Sequence, residues 1–200
     1  MEQKGFTIWF TGLPCAGKTT ISIELEKKLS AKDYKVERLD GDNIRQHLTK
    51  DLGFTPEDRD TNIERVAYVA KLLSRNGVIT LCAFIAPAEH QRNHARETID
   101  NYIEVFVDTP LDVCKERDVK GMYKKAEKGE IDNFTGISAP YEKPENPEIR
   151  LDTVDKSAEE SAKEVIQYLR SNGWIKSIGD TLTDEEQGMM EQRLKDLGYM

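Results

Sequence analysis

Two glycines, a lysine and a hydroxyl recur at a telling spacing in Gly12-Leu13-Pro14-Cys15-Ala16-Gly17-Lys18-Thr19, which satisfies G-x-x-x-x-G-K-[ST]. The chemistry served by that spacing is the grip of a polyphosphate. Glycines let the backbone curl so that successive N–H groups face phosphate oxygens, and the start of a following helix adds positive potential. Lys18 then reaches the β- and γ-phosphates, while Thr19 supplies a hydroxyl oxygen for Mg²⁺, with Thr20 directly behind. A second able group is Asp40-Gly41-Asp42. Phosphoryl transfer needs a carboxylate to accept the acceptor's hydroxyl proton and oxygens to hold Mg²⁺. Asp40 is the candidate base and, with Thr19, a candidate metal ligand; the same tripeptide also reads as an Asx turn and helix cap.

Arg45, Arg59, Arg65, Arg92, Arg96 and Arg117 form a third set, since the guanidinium fork suits bidentate recognition of an oxyanion. Surface arginines are common, so about half of these belong on solvated helix faces, and spacing alone does not sort them. His90 and His94 have the i, i+4 spacing of metal ligands, but the stretch is polar and lacks an evident third ligand, which favours a solvated face. Cys15 reads as a small packed side chain, or as a redox handle if the helix start lowers its pKa.

These groups need elements to position them. Phe6 to Thr11 reads as a strand, the glycine-containing stretch as a loop, and Thr19 to Leu29 as a helix. Val36 to Leu39 is a second strand ending at Asp40, followed by a helix from Asn43, which is placed to cap it. Thr55 to Arg75 is a helix with a Thr-Pro-Glu start, stopped by Gly77. Val78 to Ile85 and Ile103 to Val107 are nearly all apolar, as in strands buried on both faces. Alternation of strands and helices predicts an α/β fold with a parallel central sheet. Residues 115–148 carry many charges, glycines and prolines with little periodicity, and read as a mobile cover. Ser157 to Leu169 is a last body helix, and Asp184 to Leu197 an amphipathic tail, for a partner or simply for solvent.

Composition narrows the function classes. At 200 residues the chain suits one domain plus a tail. The net charge of −8 argues against broad nucleic-acid or anionic-membrane binding. No apolar run approaches the roughly 18 residues of a membrane span, and no secretory signal pattern is present, so a cytoplasmic location is expected. The 3 cysteines are widely spaced with no CxxC pair, which suggests neither a disulfide framework nor a zinc site. A phosphate loop alone serves many proteins. Without a guanine-specific Asn-Lys-x-Asp segment, and at this length, a small-molecule kinase is the class indicated.

Several motifs in order then carry a family resemblance. They are Trp9-Phe10-Thr11-Gly12-Leu13 with Gly17-Lys18-Thr19-Thr20; Leu39 to Arg45; Leu52 to Arg59 with Asn62 and Arg65; Arg117-Asp118 with Lys120 to Ala126; and Phe134-Thr135-Gly136-Ile137 with Pro140-Tyr141-Glu142. From about Phe6 to Thr153 the chain resembles the adenylylsulfate kinases. The resemblance implies a P-loop kinase-type three-layer sandwich over residues 1–178, with a lid at about 115–148 and a helical tail at 179–200. It implies transfer from ATP, with Mg²⁺, to the 3′-hydroxyl of adenylyl sulfate in sulfate assimilation, and a homodimer.

By position, Gly12 to Thr20 and Arg117 would bind ATP, with Arg117 near its base. Phe54 and Phe134 would sandwich the acceptor's adenine, unless they serve the core. Arg45, Arg59 and Asn62 would hold the phosphosulfate; Asp42, Ile85, Ala86, Gly136 and Ile137 would line the acceptor pocket; Lys120 would steady charge between the substrates. The chain departs from relatives at Pro14, Cys15, Glu64, Ala88 and Glu89, and at Ala86, where many have serine. Ala86 has no hydroxyl, which excludes a phosphoserine intermediate there and leaves direct in-line transfer. Two alternatives stay open: a kinase for another nucleotide or sugar hydroxyl, and a non-catalytic nucleotide-binding regulatory module.

Overall fold

A computed structural model of the chain describes residues 3–176, and the amphipathic tail expected at 184–197 lies outside them. The elements run β1 (Phe6–Thr11), α1 (Lys18–Ser30), β2 (Val36–Asp40), α2 (Gly41–His47), α3 (Pro56–Arg75), β3 (Ile79–Ala83), α4 (Glu89–Thr98), β4 (Tyr102–Asp108), α5 (Leu111–Arg117), α6 (Met122–Glu127), β5 (Ile149–Asp152) and α7 (Ala158–Ser171). Two compact units divide the chain, residues 1–165 and 166–200. In the second, α7 closes with Trp174 N–H donating to the Leu169 carbonyl and Gly173 at φ +69°.

The first unit is built on a 5-stranded sheet in the order β2-β3-β1-β4-β5, with every neighbouring pair parallel. Parallel strands covered on both faces need apolar side chains pointing both ways, and all of β1, β3 and most of β4 are buried. Trp9, Cys82 and Leu39 stand in register on one face and pack with Ile63, Val66, Ala67 and Ala70 of α3 and Ala95 of α4. Ile8, Phe10, Leu81 and Val105 occupy the alternate positions, and α1, whose Ile21, Leu25 and Leu29 are buried, packs against β1, β2 and β3 without joining that cluster. The expected parallel α/β sandwich is therefore present. Among the described residues no helix is long and apolar enough to cross a membrane.

The order reverses at β1, so a crevice opens outside the carboxyl ends of β1, β2 and β3. Several local differences from the sequence expectation fall there or in the cover, and β5 is a further strand that the sequence did not lead one to expect. Helix α2 starts at Gly41, capped by Asp40 rather than Asn43: the Asp40 Oδ1 accepts from the Asp42 N–H at 3.1 Å. β3 stops at Ala83, and the chain leaves the sheet so that Ala86 sits at φ +41°. Segment 115–148 is not all surface. It contains α6, where Tyr123 is 1% exposed, and Thr135 is buried too.

Candidate active site

One cavity of about 750 Å³ lies over that crevice. One side of it is the loop between β1 and α1. Gly12, at φ +146°, lies so close to β4 that a Cβ there would meet the Val107 carbonyl oxygen at 2.6 Å. Lys18 turns back over the loop and donates to the Gly12 and Leu13 carbonyls at 2.9 and 2.7 Å. Burial lowers its pKa to about 8, since the neutral amine tolerates the interior better than the ammonium. Beneath the loop the Ala16 carbonyl accepts from Thr109 Oγ1 at 3.0 Å and from Arg117 Nη1 at 3.3 Å, and Arg117 Nη2 donates to the Thr153 carbonyl at 2.6 Å. Thr19 Oγ1 donates to Asp40 Oδ2 at 2.7 Å, which joins the first turn of α1 to the end of β2. Arg38 stands 3.7 Å from the same oxygen.

The opposite side of the cavity is built from α2, α3 and the cover. The capping box of Thr55 and Asp58 starts α3 and sets the direction in which Arg59 and Asn62 project. Arg45 donates to the Gly53 carbonyl at 2.8 Å and lies 4.2 Å over the Phe54 ring, which is 61% exposed. Arg59 donates to the Phe54 carbonyl at 3.2 Å, to Thr135 Oγ1 at 2.9 Å and to the Asn133 carbonyl, tying α3 to the cover. Burial, and then the charge of Arg59, pull the Arg45 pKa down, so the two cations are crowded and an anion between them would be welcome. Asn62 Oδ1 accepts from Thr49 at 2.8 Å. Phe134 meets Tyr123 edge to face with 5.0 Å between ring centroids, and Tyr123 donates to the Pro14 carbonyl at 3.0 Å; burial pushes the Tyr123 pKa up. Lys120 and Asp42 pair at the cavity's mouth.

A model of the family described as adenylylsulphate kinase matches residues 4–152. The chain belongs to this family. It is 59% identical over 181 residues to the adenylyl-sulfate kinase of Halothermothrix orenii, covering 90% of this chain and 98% of that one. The solved structure of the Mycobacterium tuberculosis APS kinase CysC in complex with AMPPNP and APS is 45% identical, with a TM-score of 0.81 over 84% of this chain and 98% of that one. A hexameric APS kinase from Thiobacillus denitrificans is 31% identical, with a TM-score of 0.68 over 88% of this chain and 30% of that one.

In this member of the family the six arginines divide evenly. Arg45, Arg59 and Arg117 line the cavity. Arg65 instead pairs with Asp51 through both nitrogens at 2.7 and 2.8 Å, Arg92 is buried beside Glu104, and Arg96 pairs with Glu148. Pro14 to Thr20, Asp40, Asp42, Phe54, Asn62, Ile85, Ala86, Lys120 and Phe134 also line the cavity, whereas Gly12, Leu13, Gly136 and Ile137 do not. Gly136 has a structural reason for its type: at φ +91° a Cβ would press on Leu13 and Leu111 at 3.2 Å. Residues not foreseen include Gln91, Asn133, Thr135, Thr153, Lys156 and Ser161. Thr135 and Asn133 flank the flagged Phe134; Gln91 and Ser161 sit on polar helices with no signal to find them. His90 lies 2.9 Å from Asp60 and His94 lies 3.4 Å from Thr98, so each has its own partner.

Proposed function

We propose that the chain transfers the γ-phosphoryl group of ATP to the 3′-hydroxyl of adenylyl sulfate, giving 3′-phosphoadenylyl sulfate and ADP for sulfate activation. One observation carries this reading: the phosphate loop with Asp40, and the Arg45–Arg59 pair with Phe54 and Phe134, open into one cavity of a chain in this family. Its volume is of the size that small-molecule ligands occupy.

Each side chain then has a task. Loop amides and Lys18 hold the triphosphate, with the Lys18 ammonium moving from the Gly12 and Leu13 carbonyls to phosphate oxygens. The Thr19 hydroxyl and Asp40 carboxylate are adjacent hard oxygen donors, the ligand chemistry Mg²⁺ takes, and they would hold it. Bound there, Mg²⁺ would supply neutralising charge to phosphate oxygens. Arg45, Arg59 and Asn62 orient the acceptor through its phosphosulfate, and Phe54 and Phe134 flank its adenine. The acceptor hydroxyl oxygen bonds to the γ-phosphorus as the bond from that phosphorus to the β–γ bridging oxygen breaks, and the hydroxyl proton passes to Asp40. Arg117 steadies the loop's far end toward the ATP base, and the cover keeps water from taking the acceptor's place. An ATP-fed reaction suits the cytoplasm, and a homodimer is the proposed assembly.

Incubation with γ-labelled ATP, Mg²⁺ and adenylyl sulfate tests the reading. Label in a 3′-phosphorylated product, dependent on the acceptor, is the expected result. Label passing only to another nucleotide or a sugar makes the chain a kinase of that hydroxyl, and ATP binding with no turnover makes it a regulatory module.

A further inference from the structure

Ala86 forms part of the cavity wall with a left-handed backbone at φ +41°, which an L side chain adopts only at a cost. Such strain persists where the surroundings over-determine it. Here three successive carbonyls are held from three directions. Thr11 Oγ1 at the end of β1 donates to Ile85 at 2.6 Å, Arg92 Nη1 on α4 donates to Ala86 at 2.8 Å, and the Glu142 N–H donates to Pro87 at 2.8 Å. Thr11 Oγ1 also lies 2.9 Å from the Tyr141 hydroxyl, so the end of the cover reaches the same point.

Arg92 is the costly member. Its side chain is 3% exposed and its Nε lies 3.2 Å from Oε1 of Glu104, itself 7% exposed. Apolar residues of similar shape commonly serve stability as well as a buried pair does. Nor is Arg92 needed to balance Glu104, because Arg96 Nη2 already stands 3.2 Å from its other oxygen. What an apolar residue at 92 cannot supply is a donor for the Ala86 carbonyl.

We propose that Arg92 is a positioning residue for the acceptor: held by Glu104, it fixes the Ala86 carbonyl and so the shape of the Ile85–Ala86 wall, while lying outside the cavity itself. This rests on the adenylyl sulfate reading above. The two substrates should respond differently to its loss, because the phosphate loop does not depend on this carbonyl.

The test compares wild type, R92M/E104Q and R92M/E104Q/A86G, reading kcat, both KM values and thermal unfolding. Removing Arg92 and the charge of Glu104 together avoids leaving a buried carboxylate with half its partners. The double variant is expected to unfold cooperatively, with KM for adenylyl sulfate raised about tenfold, the size of one lost charge-assisted hydrogen bond, and KM for ATP within about twofold. Adding glycine at 86, which takes the left-handed conformation without strain, is expected to recover much of that loss. Equal changes in both KM values, a lowered melting temperature with unchanged KM values, or no recovery with glycine would overturn the proposal and leave Arg92 a purely structural residue. Wild-type protein that turns over no adenylyl sulfate sinks the underlying reading and this inference with it; wild-type turnover with insensitive variants sinks the inference alone.

Discussion

Lys18 and Asp40 each join a structural contact to a proposed chemical role, and single substitutions separate the two. Lys18 is protonated below about pH 8 in the folded protein, whereas an unfolded lysine holds its proton to about 10.4. Because kcat/KM for ATP reports the enzyme form that ATP meets, it should fall as pH rises through about 8, in a titration followed at a fixed low concentration of acceptor, where that form is the free enzyme. The linkage has the opposite sign for stability: the fold disfavours the charged form, so the Lys18 contribution is unfavourable below pH 8 and lifts between 8 and about 10.4. Lys18→Met should lose at least about 10²-fold in kcat yet unfold no earlier than wild type. Asp40→Asn separates its role as cap from its proposed roles as base and metal ligand. Asparagine caps helices as well as aspartate, so the melting temperature should hold, whereas turnover should fall about 10²- to 10⁴-fold. Both residues were legible in the sequence because a loop motif and a strand end fix their environment within a few positions. Arg65, Arg92 and Arg96 were not separable from Arg45 and Arg59, because an arginine's partner is chosen by tertiary neighbours such as Asp51 and Glu148.

Among the elements, α3 and the cover together carry the proposed acceptor site, tied to each other by Arg59. Thr55 begins the helix that carries Arg59 and Asn62, and Thr55→Ala should destabilise the protein by about 1 kcal/mol in denaturant unfolding. Thr135→Val removes a partner of Arg59 without changing side-chain volume much, and should raise KM for adenylyl sulfate severalfold and increase acceptor-free ATP hydrolysis. Unchanged values for both would detach the cover from the acceptor site. Elements with long periodic patterns, such as α3, were readable from residue order alone. Helix α6 and strand β5 were not: six and four residues offer too little period, and what holds them is Tyr123 reaching Pro14 and a register with β4. The start of α2 moved to Gly41 because Asp40, at a strand end, was already placed to cap it.

Over the whole molecule, occupancy should appear as stability. A ligand at 100 times its dissociation constant adds about 2.7 kcal/mol, which for a chain of this size is a rise of about 5–10 °C in melting temperature. MgATP and adenylyl sulfate should each produce such a shift by scanning calorimetry, and Lys18→Met should lose the first and keep the second. The parallel sheet followed from the alternation of strands and helices, but the strand order, and with it the meeting of separate walls over one crevice, did not, since no local pattern encodes which strand ends become neighbours.

Tyr123 hangs its hydroxyl on Pro14 while Phe134 leans against its ring, so the phosphate loop and the flank proposed for the adenine are joined through one side chain. On the proposed reading, any shift of Tyr123 on seating a triphosphate would reach the berth proposed for the adenine, and thermodynamic reciprocity would return that effect in equal measure.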